Sequence, residues 1–206
     1  MRQHRREQHE EDPQGTVAGP GRRRLSVRDW ADAALAAIGE RGLAGVAVEP
    51  LAARLGTTKG SFYWHFANRA ALVEAALARW EELSTEAVIT ETEREPDPEL
   101  RLRRLLGYAV GSAPSDPLEL SLLTAVDHPP VAEALRRVTE RRIGYVAEVF
   151  AELGFATTEA RLRATAAYTT YLGHIQLNRA VPGLLPSGAD RDPYLNAVLD
   201  TLLRRD

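Results

Sequence analysis

The sequence predicts an all-α fold, with an N-terminal three-helix head followed by a longer helical domain. Three observations lead there. After residue 21 the apolar residues recur with the period of an amphipathic helix almost to the end of the chain. Proline and glycine fall between these periodic segments rather than inside them. No segment carries a strand signal.

The chain has 206 residues, 44% of them hydrophobic and 27% charged, enough for a sizeable core in one large domain or two small ones. Cysteine is absent. That excludes disulfides and thiolate metal sites and fits an intracellular protein. No apolar run resembles a signal-peptide core or a membrane span, so the expected location is cytoplasmic with no membrane partner. The formal net charge is −3, but it is unevenly spread. Arg22, Arg23, Arg24, Arg28, Arg41, Arg54, Lys59 and Arg69 outnumber Asp29, Asp32, Glu40 and Glu49 by four, so the head is basic and the remainder acidic.

Taken in order, residues 1–21 mix charge, Gly, Pro and Gln without periodicity and read as a disordered tail. A first helix is expected over 27–41: Ser26 and Asp29 form a capping-box start, Gly42 stands at the C-terminal end, and Trp30, Ala34, Leu35 and Ile38 make one apolar face. A short helix over 49–55 tolerates Pro50 in its first turn and ends at Gly56. Thr58 caps a third over 59–65. Two short helices joined by a glycine-containing turn, after a longer one, form a helix-turn-helix. Asn68 caps a long fourth helix through Leu72, Ala75, Ala76 and Trp80 to about residue 90. The prolines of "ETEREPDPEL" break the chain, and further helices are expected over 99–112, 117–126, 130–153, 158–180 and 192–204. In the last, Leu195, Val198, Leu199 and Leu202 form one stripe. Ala164, Ala167 and Gly173 permit close approach of another helix.

The chemistry concentrates in "TTKGSFYWHF", residues 57–66. On a helix starting after Thr58, Phe62 and Phe66 lie four apart and turn inward. Lys59, Ser61, Tyr63, Trp64 and His65 are left facing wholly or partly outward. Such a set suits a nucleic-acid backbone: Lys59 supplies charge, Ser61, Tyr63 and His65 supply hydrogen bonds to phosphate, and Trp64 offers apolar contact to a sugar or a thymine methyl. Free amides at the helix start, beside the Thr58 hydroxyl, add a positive end. The alternative is that Tyr63, Trp64 and His65 brace this helix against the fourth.

The run "LAARLGTTKGSFYWHFANRAALVEAAL", residues 51–77, resembles the DNA-binding signature of the TetR family of bacterial transcriptional regulators, and "ALAAIGERGLAGVAVEPLAARLG" resembles its lead-in. The resemblance covers about residues 25–83; beyond that it extends to length and helicity alone. It implies a homodimeric regulator, most often a repressor, that binds a palindromic double-stranded DNA operator and is released by a small-molecule effector. Residues 22–68 would form the DNA-binding domain, and residues 69–206 the effector-binding and dimerisation domain. Carried over by motif, Lys59, Gly60, Ser61, Tyr63, Trp64 and His65 take recognition-helix positions, and Arg69 takes a basic position that contacts phosphate. Dimerisation is expected through the helices at 158–180 and 192–204. Two departures stand out. Val48, Glu49 and Pro50 replace the family's capping Thr or Ser and its following basic residue, and a glutamate cannot hold a phosphate. Thr57 replaces an aliphatic residue of the turn. The basic run of Arg22, Arg23 and Arg24 either reaches an adjacent minor groove as a flexible arm or is a solvated tail.

Between the two interface helices and the fourth helix, Trp80, Tyr108, Tyr145, Phe150, Tyr168, Tyr171 and His174 are the candidate effector-pocket residues, offering aromatic surface with a few hydrogen-bonding tips. No cofactor is expected. "GTTKGS" lacks the Walker spacing, and the five histidines share no metal-ligand spacing. Two other functions remain. One is a helical adaptor using the head for protein contacts. The other is an enzyme using Asp127 with His128, or His174, as acid or base.

Overall fold

The computed structural model describes residues 24–111 and 117–205. The expectations for the tail at 1–21 and for Arg22 and Arg23 lie outside the described residues; Arg24 is described and exposed. Ten α-helices and no strand are found among the described residues: α1 Val27–Arg41, α2 Val48–Arg54, α3 Lys59–Tyr63, α4 Arg69–Glu81, α5 Ala87–Thr92, α6 Pro98–Gly111, α7 Pro117–Leu123, α8 Pro129–Glu152, α9 Thr157–Ala180 and α10 Arg191–Leu203. None is long and apolar enough to cross a membrane.

Local chemistry accounts for the boundaries. At the start of α1 the Asp29 amide donates to Ser26 Oγ at 3.3 Å while the Ser26 amide donates to Asp29 Oδ2 at 2.7 Å, a reciprocal capping box. The Ala71 amide donates to Asn68 Oδ1 at 3.0 Å at the start of α4. Asp97 Oδ1 accepts from the amides of Glu99 and Leu100 ahead of α6. α8 opens on Pro129 and Pro130, whose missing N–H groups lie in a turn that needs none.

Every helix begins and ends within three residues of the sequence expectation, with one difference of kind. The fourth helix does not run unbroken to about residue 90. It widens into a π turn at Glu82–Glu86 before continuing as α5. No proline or glycine marks the spot, and one extra residue in a turn barely disturbs the apolar period. α3 also stops two residues early, because Asn68 must be in extended backbone (φ −161°, ψ 176°) to cap α4.

Two apolar clusters hold the chain together. The first joins α1, α2, α3 and α4 to Leu122 of α7 and to Val131, Ala134, Leu135 and Val138 of α8, so the head and the front of the second part share one core. Trp30 and Phe62, both fully buried, meet edge to face with ring centroids 5.4 Å apart. The second cluster joins Ile89, the buried face of α6, the rear of α8, and the inner stripes of α9 and α10. On α9 that stripe is Ala160, Ala164 and Ala167, whose small side chains let α8 lie close along it. α7 lies against α1, where a Cβ on Gly39 would sit 3.5 Å from Pro117 Cγ.

Candidate nucleic-acid interface and effector cavity

The geometry of the head follows from a turn and two anchors. Gly56 takes φ +63°, a conformation that L side chains rarely adopt, and redirects the chain from α2 to α3. Thr58 then accepts from the Ser61 amide at 3.3 Å. Phe62 is fully buried and Phe66 nearly so, their rings stacked 5.5 Å apart. This fixes which side of α3 faces out. Tyr63 is 58% exposed and Trp64 86% exposed. Lys59 and Gly60 are exposed, and Ser61 and His65 half-buried. Trp64 therefore does not brace α3 against α4, whereas Tyr63 leans edge to face on Phe62 with its ring centroid 5.1 Å away.

Several cations of the head are already engaged. Lys59 Nζ lies 2.7 Å from Glu49 Oε1. The hydrogen bond and charge of each partner raise the Lys59 pKa and lower that of Glu49. Arg54 pairs with Glu40 at 2.8 Å, and Arg28 with Glu82 at 2.5 Å. Arg69, read from the sequence as a phosphate contact, donates from Nε to the Val46 carbonyl and from Nη2 to the Leu43 carbonyl, both at 2.6 Å. Its planar fork ties the connection between α1 and α2 to the start of α4.

Gly60 stands apart. A Cβ there would meet only Thr58 Oγ1, at an ordinary 3.6 Å, and no positive φ is required of it. Nothing inside the head explains a glycine near the start of a helix, where alanine is intrinsically better.

In the second part, a partly open cavity of about 90 Å³ lies between the π turn, α5, α6, α8 and α9. Of the seven residues proposed from sequence, Tyr108, Tyr145, Tyr168 and Tyr171 line it. Trp80, Phe150 and His174 do not. Trp80 is buried in the first core, with the Arg142 guanidinium 5.6 Å from its ring centre. Phe150 is fully buried in the second core against Phe155. His174 packs on Tyr194 of α10, its Nδ1 2.6 Å from the Thr170 carbonyl oxygen. The cavity thus lies among α6, α8 and α9 rather than between α4 and the α9 and α10 pair.

The residue that sequence reasoning missed is Arg142, which lines the cavity. Its Nη1 donates to Glu119 Oε1 at 2.9 Å and lies 3.5 Å from the Tyr171 hydroxyl. Its Nε donates to Thr85 Oγ1 at 3.0 Å, and its Nη2 to the Ser84 carbonyl at 3.2 Å. Burial opposes the Arg142 charge, but Glu119, Tyr171 and Tyr168 together outweigh it and the pKa rises. Burial raises the pKa of Tyr168 and Tyr171, so both remain protonated hydroxyls at neutral pH. The arginines of "VTERRIGY" look in sequence like a solvated charge run; only the packing of α8 shows that one of them points inward.

Neither acid–base candidate is set up beside this cavity. Asp127 is exposed in the turn before α8, His128 is the residue preceding that helix, and His174 faces α10. Among the described residues no three His, Cys, Asp or Glu side chains are grouped to hold a metal.

Comparison with known proteins places the head. Residues 31–76 match the family model described as bacterial regulatory proteins, tetR family. The chain is 40% identical over 76 residues to the HTH-type transcriptional regulator TtgR of Pseudomonas putida, a match that spans 36% of each protein. The fold as a whole resembles a transcriptional regulator from Rhodococcus sp. Rha1, with a TM-score of 0.68 and 24% identity, covering 87% of this chain and 94% of that one. It also resembles SmeT, the repressor of the Stenotrophomonas maltophilia multidrug efflux pump SmeDEF, with a TM-score of 0.63 and 22% identity over 87% of this chain and 89% of that one. A third similar structure is AibR in complex with isovaleryl coenzyme A and operator DNA, with a TM-score of 0.60 and 18% identity over 86% of this chain and 97% of that one.

Proposed function

We propose that this chain, which carries the tetR-family N-terminal domain on the fold of that family's regulators, is a cytoplasmic repressor that binds a palindromic operator as a homodimer and is released by a small-molecule effector. The observation that carries the reading is α3: Tyr63 and Trp64 stand out beside Lys59 on a helix whose inner side is locked by Phe62. Exposed aromatics in such a place suit a sugar–phosphate surface, and the unexplained glycine at position 60 suits a backbone that approaches closely. Thr58, Lys59, Gly60, Ser61, Tyr63, Trp64 and His65 are the proposed contacts, with Arg23 and Arg24 as an arm. Arg69 acts by holding the head in shape.

Residues 22–68 serve as the DNA-binding unit and 69–206 as the effector-binding and dimerisation unit. Leu162 and Leu177 of α9 are exposed, 66% and 41%, on a helix that also shows Ala166 outward, and this side with α10 is the proposed dimer contact. The effector site is the tyrosine-lined cavity, which offers aromatic surface with a few hydrogen-bonding tips.

Selection of bound sequences from a random duplex library, followed by anisotropy titration over a range of salt, tests the DNA reading. A dyad-symmetric sequence should emerge, with affinity falling steeply as salt rises. In Lys59→Ala the salt slope should flatten by about one. Tyr63→Phe should weaken operator binding by roughly 1.5–3 kcal/mol if its hydroxyl meets a phosphate. Failure of any sequence to enrich would end the regulator reading.

A further inference from the structure

Arg142 is the only charged side chain among the described residues lining the cavity, and taken alone it would mark a site for anionic ligands. Its surroundings argue the reverse. The guanidinium has five N–H groups, and its contacts with Thr85, Glu119, Tyr171 and both the carbonyl and the hydroxyl of Ser84 use them all. Glu119 does not line the cavity, yet its side chain is only 4% exposed and its two carboxylate oxygens face Nη1 and Nη2 at 2.9 and 3.4 Å. The charge is therefore cancelled from within the protein before any ligand arrives. Apart from Ser84 and Thr85, whose hydroxyls accept from Arg142, the rest of the wall is apolar or phenolic. The Tyr171 oxygen accepts a hydrogen bond from Arg142, which leaves its own O–H to donate.

We propose that the cavity takes an uncharged, mainly apolar ligand bearing a hydrogen-bond acceptor for Tyr171, and that Glu119 excludes carboxylates by occupying Arg142. This rests on the reading of the cavity as the effector site. A carboxylate ligand could bind Arg142 only by displacing Glu119, and that would leave one carboxylate buried without a partner. An amide or a ketone meets no such penalty.

The test uses probes that differ in charge and little else: 2-naphthamide against 2-naphthoate, and octanamide against octanoate, titrated by calorimetry into the full chain. On the unaltered protein each amide should bind, and each carboxylate should bind roughly a hundredfold or more weakly, as expected for a buried unpaired charge. In Glu119→Gln the order should reverse, because Arg142 is freed. Simple acetate should then raise the melting temperature of that variant and leave the unaltered protein unchanged. Glu119→Gln combined with Arg142→Met removes both charges, keeps the cavity and should lose the carboxylate binding again. Carboxylates that bind the unaltered protein as tightly as their amides would overturn the charge rule while leaving the cavity reading intact. Binding of neither probe type to any of the three proteins would overturn the cavity reading itself, and the inference with it.

Discussion

The Lys59 ammonium is held 2.7 Å from the Glu49 carboxylate, so the only lysine of α3 is paired within the head. Both side chains are more than half exposed, and such a pair adds little to stability. Its effect should fall on binding. Glu49 places a negative charge where a phosphate would come to Lys59, and the phosphate must compete with it. Glu49→Gln is therefore expected to tighten operator binding and to steepen the salt dependence by up to about one unit, with the melting temperature unchanged. Anisotropy titrations at several salt concentrations measure both. Weaker binding would mean that Glu49 helps to orient Lys59 instead of opposing its partner.

Gly60 offers a test in which stability and binding move in opposite directions. An added methyl group meets only Thr58 Oγ1 at 3.6 Å, and alanine is the better helix former. Gly60→Ala should stabilise the head by up to about 1 kcal/mol. If a DNA backbone passes close to this position, the same methyl should lower operator affinity. A variant that is more stable and binds DNA equally well would remove Gly60 from the interface.

Arg69 should behave as a structural residue. Losing its hydrogen bonds to the Val46 and Leu43 carbonyls exposes or strands both acceptors, so Arg69→Ala is expected to destabilise the protein by about 1–3 kcal/mol. Lysine cannot reproduce a planar fork that reaches two carbonyls, so Arg69→Lys should restore little. Urea denaturation measures the loss. A variant of unchanged stability with weakened DNA binding would return Arg69 to the role of a direct phosphate contact.

The residues differ in how far the sequence reveals them. Phe62 and Phe66 could be placed inward from their spacing alone, because helical period is a local property and both are large and apolar. The boundaries of α1 and α4 followed from Ser26, Asp29 and Asn68 for the same reason: a cap is made within four residues. Arg69 and Arg142 could not be read that way. Their partners are far away in sequence, Arg69 bonding 23 and 26 residues back and Arg142 reaching Glu119 and Ser84, so an exposed and an engaged arginine look identical in the chain. The cavity was only partly legible. Aromatic composition singled out the four tyrosines, but Trp80 and Phe150 have the same composition and fill cores, and only the placement of α6 separates the two sets.

The last expectation concerns the path from the cavity to the DNA head. α4 begins at Arg69, whose side chain braces the head, and reaches Trp80 about 17 Å further on at 1.5 Å per residue. It then passes into the π turn, where the Ser84 hydroxyl donates to the Trp80 carbonyl at 2.7 Å and the Ser84 carbonyl accepts from Arg142. One continuous rod thus ends at the cavity wall on one side and at the head on the other. A ligand that moves Arg142 would pull on Ser84 and tilt α4, and in a two-fold dimer this changes the spacing of two α3 helices that must match half-sites about 34–36 Å apart. The effector then lowers operator affinity by the ratio of its affinities for the two arrangements, and operator DNA must weaken the effector by the same factor, about 5–150-fold for couplings of ordinary size. Titrating a ligand that binds the cavity, with and without operator, measures that factor directly. Glu119→Gln combined with Arg142→Met, which removes the buried pair together and leaves neither charge stranded, should bring that factor toward one. Equal dissociation constants with and without operator in the unaltered protein would rule out the rod as the route.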